Sequence, residues 1–412
     1  MRVLFGVLLF TLTVLCVCTP PSPKTPILVS ECALDCGRYI VQLNSLPGTS
    51  FRVHLSEVKP MFQCDSGCCL VYEFEEFNSY SAKLSDEMKR TLRMRNDIQY
   101  IEPVSRTKLS SIQQSQTFSA SIFASPIVFQ PNSPWGLARI SSETKYQPND
   151  IFRFPATGGK GVDVYILDTG IYVHHNQFGG RAVLGANFIE GEPSSDNQGH
   201  GTFIAGLVGG STFGIAKAVN LISVKILNGQ GDGDADILIA GIHWVVVQAA
   251  KTKRRSIINL SLTTRRSAAI NDAVEKAFNS GVLVVSAAGN GSNDACIYSP
   301  ASSNAAITVS SSDAFDFFSP FSNWGQCVDI FAPGTSVSSS FIGSPNAFAT
   351  DSGTSQAAGY VSGTAALILA ERPEYSPMQV RALLMEIATK NSLVALPLGT
   401  PNLLLDTSML LK

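Results

Sequence analysis

Two stretches of the chain are apolar almost without a break: Val162-Asp163-Val164-Tyr165-Ile166-Leu167 and Gly281-Val282-Leu283-Val284-Val285-Ser286. Runs of that length, rich in β-branched residues, belong to strands buried on both faces, as in a parallel sheet covered by helices. Helical patterning follows over 202–209, 235–251, 267–280 and 356–371, so strands and helices alternate from Ser133 onward. This predicts an α/β domain over 133–412, a mostly parallel sheet with helices on both faces. The upstream pattern is different. Tyr39–Leu43 and Leu70–Phe74 alternate partly, 86–94 reads as a helix and Ile98–Ile101 as a closing strand, which predicts a small α+β unit over 37–104. Between the two, 105–132 is rich in Ser and Gln, low in charge and without a period, and reads as a linker.

The amino terminus is a third regime. After Met1-Arg2 the chain stays apolar from Val3 to Val17, broken by Gly6, Thr11 and Thr13. One positive charge, a short greasy run and small residues near Cys16–Cys18 predict a cleaved secretory signal over 1–18. The run is shorter than the roughly 20 residues a spanning helix needs. The mature product is therefore expected to be secreted, or in a secretory-pathway lumen, without a membrane span. Cys32, Cys36, Cys64, Cys68 and Cys69 cluster early, while Cys296 and Cys327 stand far downstream. In an oxidising compartment disulfides outrank a metal site for the early cluster, and its odd number leaves one thiol over. A chain of 412 residues suffices for two domains with a full core. With 30 Lys plus Arg against 32 Asp plus Glu, it lacks the basic excess of a nucleic-acid binder.

Chemistry concentrates in four short segments. In open α/β sheets reactive groups gather beyond the carboxyl ends of the strands. The first apolar strand ends Leu167-Asp168-Thr169-Gly170, and Gln198-Gly199-His200-Gly201-Thr202 opens a helix pattern. Ala287-Ala288-Gly289-Asn290 ends the second apolar strand, and Ser352-Gly353-Thr354-Ser355 heads a helix of small residues. Each has an ordinary reading: Asp starts turns, a loop histidine bonds locally, and Ser caps helices. Together they supply acyl transfer. Ser355 is a nucleophile that needs a base, His200 is that base, Asp168 orients its imidazolium, and Asn290 aims an N–H at the oxyanion.

In this order and context the segments resemble the subtilisin-like serine proteases. Pro134-Trp135-Gly136-Leu137-Ala138-Arg139-Ile140 narrows the resemblance to the proteinase K-like branch, and it extends from about Ser133 to Leu405. Ser299-Pro300-Ala301, Phe321-Ser322-Asn323-Trp324-Gly325 and Ala332-Pro333-Gly334 add to it. The resemblance implies a monomeric serine endopeptidase acting on polypeptides, with no cofactor for catalysis and no nucleic-acid partner. It also implies an inactive precursor whose 37–104 unit, a ferredoxin-like propeptide, inhibits its own enzyme until cut in the linker.

Further roles follow from the same resemblance. Gly231, Asp232 and Gly233 on one side, and Ser261, Leu262 and Thr263 on the other, would hold substrate as an added strand. Ala287, Ala288 and Gly289 would line the pocket before the scissile bond. The Asn304 and Ala306 carbonyls with the Asp329 carboxylate would hold a structural calcium, and Cys296 would pair with Cys327. Asp232, Asp234 and Asp236 near the cleft suggest a preference for basic side chains. Departures also stand out: Gln356, Gly359 and Tyr360 replace the usual Met, Pro and His, Thr263-Thr264 replaces Gly-Gly, and Phe203 replaces His. They motivate an alternative, a catalytically impaired pseudoprotease that binds peptides or partners in its cleft.

Overall fold

A computed structural model describes residues 36–44, 50–64, 68–109, 125–142, 144–147 and 150–411. The expected signal over 1–18 and positions 110–124 of the expected linker lie outside these residues. No helix among the described residues is long and apolar enough to cross a membrane.

The N-terminal unit runs β1 (Gly37–Leu43), α1 (Phe51–Cys64), β2 (Cys69–Phe74), β3 (Ser79–Leu84), α2 (Asp86–Arg93) and β4 (Ile98–Pro103). Its sheet is antiparallel at β1–β3, β1–β4 and β2–β3, in the order β2-β3-β1-β4. Successive side chains of a strand face opposite ways. Val41 and Leu43 accordingly pack with Phe51, Leu55, Val58 and Phe62 of α1 and with Met88 and Leu92 of α2. Ile40 faces the other way, into the core of the larger domain with Phe74 and Phe77. Ser85 caps α2 by accepting from the Met88 N–H (3.1 Å).

The segment read as a linker is stranded at both described ends. β5 (Arg106–Leu109) joins strands of the larger domain, and β6 (Ile127–Gln130) pairs antiparallel with β7 (Phe152–Pro155) beyond the short helix α3 (Trp135–Ile140).

The larger domain continues through β8 (Val162–Asp168), β9 (Ala182–Asn187), α4 (His200–Gly209), β10 (Asn220–Lys225), β11 (Asp232–Asp234), α5 (Ala235–Thr252), β12 (Arg255–Leu260) and β13 (Leu262–Arg265). It then runs α6 (Ala268–Asn279), β14 (Leu283–Ala287), β15 (Tyr298–Ser299), β16 (Ala306–Ser312), β17 (Ile330–Pro333), β18 (Val337–Ser340), β19 (Phe348–Asp351), α7 (Thr354–Glu371), α8 (Pro377–Ile387), β20 (Thr389–Lys390) and β21 (Leu403–Leu404). The main sheet has the order β20-β21-β17-β16-β14-β12-β8-β10-β9 and is parallel except for the terminal β20–β21 pair. Its central strand β8 is buried along its whole length. Val164 and Ile166 turn toward α4 and α7, whereas Tyr165 and Leu167 turn toward α5 and α6. A strand covered on both faces has no polar side to show, which is why it reads as an unbroken apolar run. The expected fold class is borne out.

Candidate active site

Asp168 is the last residue of β8 and is fully buried. His200 is the first residue of α4, and its Nδ1 lies 2.9 and 2.8 Å from the two Asp168 carboxylate oxygens. Local sequence explains the approach. Gly199 precedes the helix with φ of +108°, a backbone region that disfavours side chains. A Cβ at Gly201 would stand 2.0 Å from the Gly170 carbonyl oxygen, so glycine there lets the helix start close on the strand end. Burial by itself would lower the His200 pKa, but the Asp168 carboxylate, with Asp351 and Asp196 adding to it, outweighs it and the net shift is upward from 6.5.

The sequence reading missed the residue that clamps this corner. Buried Asp196 accepts from the Thr169 hydroxyl (2.9 Å) at the strand end, and from the Gly199 N–H (2.8 Å), Thr202 N–H (2.9 Å) and Thr202 hydroxyl (2.6 Å) at the helix start. A lone Asp before Asn-Gln-Gly gives no signal beyond an ordinary turn.

Ser355 is the second residue of α7. Its hydroxyl donates to the Ser261 carbonyl (2.9 Å), while the Ser261 hydroxyl donates to the Ser355 carbonyl (3.0 Å). Helices α4 and α7 lie side by side with a constant offset. A Cβ at Gly359 would meet Leu207 at 3.1 Å and the Ile204 carbonyl at 3.7 Å, and one at Gly363 would meet the Val208 carbonyl at 3.1 Å. Glycine in place of the usual proline thus serves close helix packing. Tyr360 is buried too, its ring seated where a Cβ at Gly136 would intrude at 2.4 Å from the hydroxyl oxygen. Gln356 donates to Asp351 (3.0 Å), the aspartate whose charge also raises the His200 pKa.

Asn290 follows Gly289, whose φ is +106° and whose N–H donates to the Thr354 hydroxyl (3.1 Å). Asn323, from the Phe-Ser-Asn-Trp-Gly segment, fixes this turn by donating to the Ala288 carbonyl (2.8 Å) and accepting from the Gly291 N–H (2.9 Å). The Asn290 Oδ1 is buried without a hydrogen-bond partner.

A separate four-stranded sheet has the order β11-β5-β13-β15. Both expected substrate edges border it, with β5 antiparallel between them: Asp232 opposite Lys108 and Gly233 opposite Thr107 on one side, Leu262 opposite Leu109 and Thr263 opposite Lys108 on the other. Gly231 turns into β11 at φ of +80°. The two departing threonines admit this strand. The Thr264 hydroxyl donates to the Arg106 carbonyl (2.6 Å), and the Thr263 methyl carbon would lie 3.4 Å from a Cβ at Gly289. Asp234 and Asp236 point instead to Arg38 of the N-terminal unit, with Arg38 2.9 Å from Asp236.

Two of the three groups expected to hold calcium, the Asn304 carbonyl and Asp329, meet at a guanidinium, while no hydrogen bond joins the Ala306 carbonyl to it. Arg381 donates to the Asn304 carbonyl and to Asp329 Oδ1 (2.5 Å), while Asp329 Oδ2 accepts from the Thr308 N–H (2.8 Å). Burial raises the Asp329 pKa, and the Arg381 charge opposes that rise. Cys296 and Cys327 are joined in a disulfide, and Cys36 Sγ stands 3.8 Å from Cys68 Sγ.

Residues 159–401 match the Subtilase family. Subtilisin-like protease 1 of Pseudogymnoascus destructans is 43% identical over 281 residues, 68% of this chain and 69% of that relative. Subtilase-type proteinase psp3 of Schizosaccharomyces pombe is 35% identical over 367 residues, 85% of this chain and 76% of the relative. Among solved structures, a cold adapted subtilisin-like serine proteinase superposes with a TM-score of 0.62 at 40% identity, covering 67% of this chain and 98% of that one. The chain belongs to the subtilase family. It is a serine endopeptidase.

Proposed function

We propose that Ser355, His200 and Asp168 hydrolyse peptide bonds as nucleophile, base and orienting anion, in a secreted protein made as a precursor that its own N-terminal unit inhibits. The observation that carries the reading is the two-point approach of Asp168 to His200 Nδ1. With Nδ1 so engaged, Nε2 is the nitrogen that takes a proton. Rotation about the Ser355 Cα–Cβ bond brings its hydroxyl from the Ser261 carbonyl toward that nitrogen. Oγ then adds to the substrate carbonyl as its proton passes to His200, and the resulting oxyanion is met by the Asn290 amide and the Ser355 N–H. Collapse expels the amine, which carries away the proton, and water cleaves the acyl-enzyme by the same route.

Strand β5 supports the precursor half of the reading. It lies where an extended substrate would, and its register ends with Leu109 opposite Leu262, one residue short of Ser261. Ser261 is bonded to Ser355, which supports a maturation cut just beyond Leu109. The N-terminal apolar run supplies the secretory route.

The test combines labelling and processing. A fluorophosphonate should label Ser355 in secreted protein, and N-terminal sequencing should place the first cut just after Leu109. Ser355→Ala should abolish labelling, leave the precursor whole and lower kcat by roughly 10⁶-fold. Peptide binding without labelling, unchanged by Ser355→Ala, would establish the pseudoprotease reading instead.

A further inference from the structure

We propose that Arg381 is the resident cation of the site formed by Asn304 and Asp329, so that the larger domain is held together there by a side chain instead of calcium. Calcium requires about six to eight oxygen ligands at roughly 2.3–2.6 Å, with lone pairs directed at the ion. Here the Asn304 carbonyl and Asp329 Oδ1 already accept from Arg381, and Asp329 Oδ2 accepts from the Thr308 N–H. Calcium close enough to bind the first two would lie against a guanidinium that cannot lose its charge. The residues present therefore do not fit calcium while Arg381 is in place. Among the described residues, no group of three or more His, Cys, Asp or Glu side chains could hold a metal.

The helix that carries Arg381 is built to hold the guanidinium still. α8 opens with a capping box between Ser376 and Gln379, has Pro377 in its first turn, and buries Val380, Leu383, Leu384 and Ile387 on both sides of Arg381. With its stem fixed by such neighbours, a planar guanidinium can meet two oxygens at once with little entropy to lose. The pieces it connects are distant in sequence: the turn entering β16, the residue preceding β17, and α8. Asp329 is tied to β16 a second way, its N–H donating to the Thr308 carbonyl (2.9 Å). A covalently attached cation neutralises this mostly buried carboxylate without a binding equilibrium, so no chelator removes it. The same carboxylate without Arg381 would be an uncompensated buried charge, which is costly and which a metal could relieve.

The experiment reads thermal unfolding, not activity, of secreted protein inhibited with a phosphonate to prevent self-digestion, in excess EDTA and in excess calcium. Arg381→Met keeps the apolar stem and removes the charge, and Arg381→Lys restores charge without the fork. In EDTA the unfolding midpoint of Arg381→Met should fall by at least about 4 °C, with Arg381→Lys between it and the unaltered protein. Calcium should raise the midpoint of Arg381→Met more than that of the unaltered protein, because the Asn304 and Asp329 oxygens are then open to it. A calcium-induced rise as large in the unaltered protein as in Arg381→Met, or an EDTA midpoint insensitive to both substitutions, overturns the proposal. Adding Asp329→Asn to Arg381→Met should abolish the extra calcium response; its persistence would also overturn it.

Discussion

The two large sheets of this chain are covered in different ways. The nine-stranded sheet has helices of its own domain on both faces, and β8 divides its side chains between α4 and α7 on one side and α5 and α6 on the other. The four-stranded sheet of the N-terminal unit has its own helices on one face; for the other it borrows α5 and α6 of the larger domain. That borrowed face has an apolar centre, Ile40, Phe74 and Phe77, and a polar rim. At the rim Arg38 meets Asp234 and Asp236, Tyr100 donates to Asp272 (2.5 Å), and Lys276 donates to Gln42 (2.9 Å). Glu102 accepts from the Ala268 and Ala269 N–H groups (2.9 and 3.3 Å) at the α6 start. This is the anatomy of an interface between separable partners, an apolar core within a charged rim. The Asp168–His200–Asp196 cluster lies wholly inside the self-sufficient domain. If the N-terminal unit is cut away, as proposed, it takes no layer of the larger domain with it, and a cluster closed within that domain would persist.

Three measurements bear on this contrast. The largest effect is expected from Arg38→Ala, which leaves fully buried Asp236 without its ion pair at the contact. Losing one partner of a buried pair costs about 3–5 kcal/mol, discounted here because Arg38 is partly exposed, so release of the cleaved N-terminal unit should quicken on the order of 10²-fold. Retention unchanged on gel filtration would mean that the rim contributes nothing. Glu102→Gln should act more weakly, since a carboxylate at a helix start is worth about 0.3–1 kcal/mol. Release followed in the same way should rise roughly two- to five-fold, with the fold of either part unaffected. The smallest effect concerns the His200 titration, followed by NMR in the Ser355→Ala precursor and in the freed domain. Its midpoint should lie above 6.5 in both, because the raising charges, Asp168, Asp351 and Asp196, all belong to the larger domain. Turnover should correspondingly fail as pH drops through that midpoint, since a protonated imidazole accepts nothing. A midpoint below 6.5 after separation would show that the cluster is shared between the two parts.

Much of the larger domain was legible because its physics is local. β8 and β14 announce themselves by apolar runs, and the glycines around His200 and before Asn290 occupy places where the backbone permits little else. Other features depend on partners that no window of sequence contains. β5 consists of Arg-Thr-Lys-Leu and is held by main-chain pairing to two edges, so its side chains carry no strand signature and the segment reads as linker. Helix α1 was unread although Phe51, Leu55, Val58 and Phe62 keep helical spacing, because Pro60 and several polar residues interrupt the pattern. Asp196 and Arg381 are each one charged residue among many until the fold brings five donors to the first and two oxygens to the second. The unusual Tyr360 is similarly unintelligible without Gly136, which gives its ring room from the opposite end of the domain.

The paired links between Ser261 and Ser355 have one more effect. Once the Ser355 hydroxyl turns toward His200, as proposed, the Ser261 hydroxyl still holds the Ser355 carbonyl, so the edge along which a bound chain would align and the backbone of the proposed nucleophile drift together under thermal motion. A polypeptide bound along that edge would be presented at a fixed offset, as cloth is under a needle. Selection among bonds then falls to the fit of neighbouring side chains, with sideways slippage removed as a source of error.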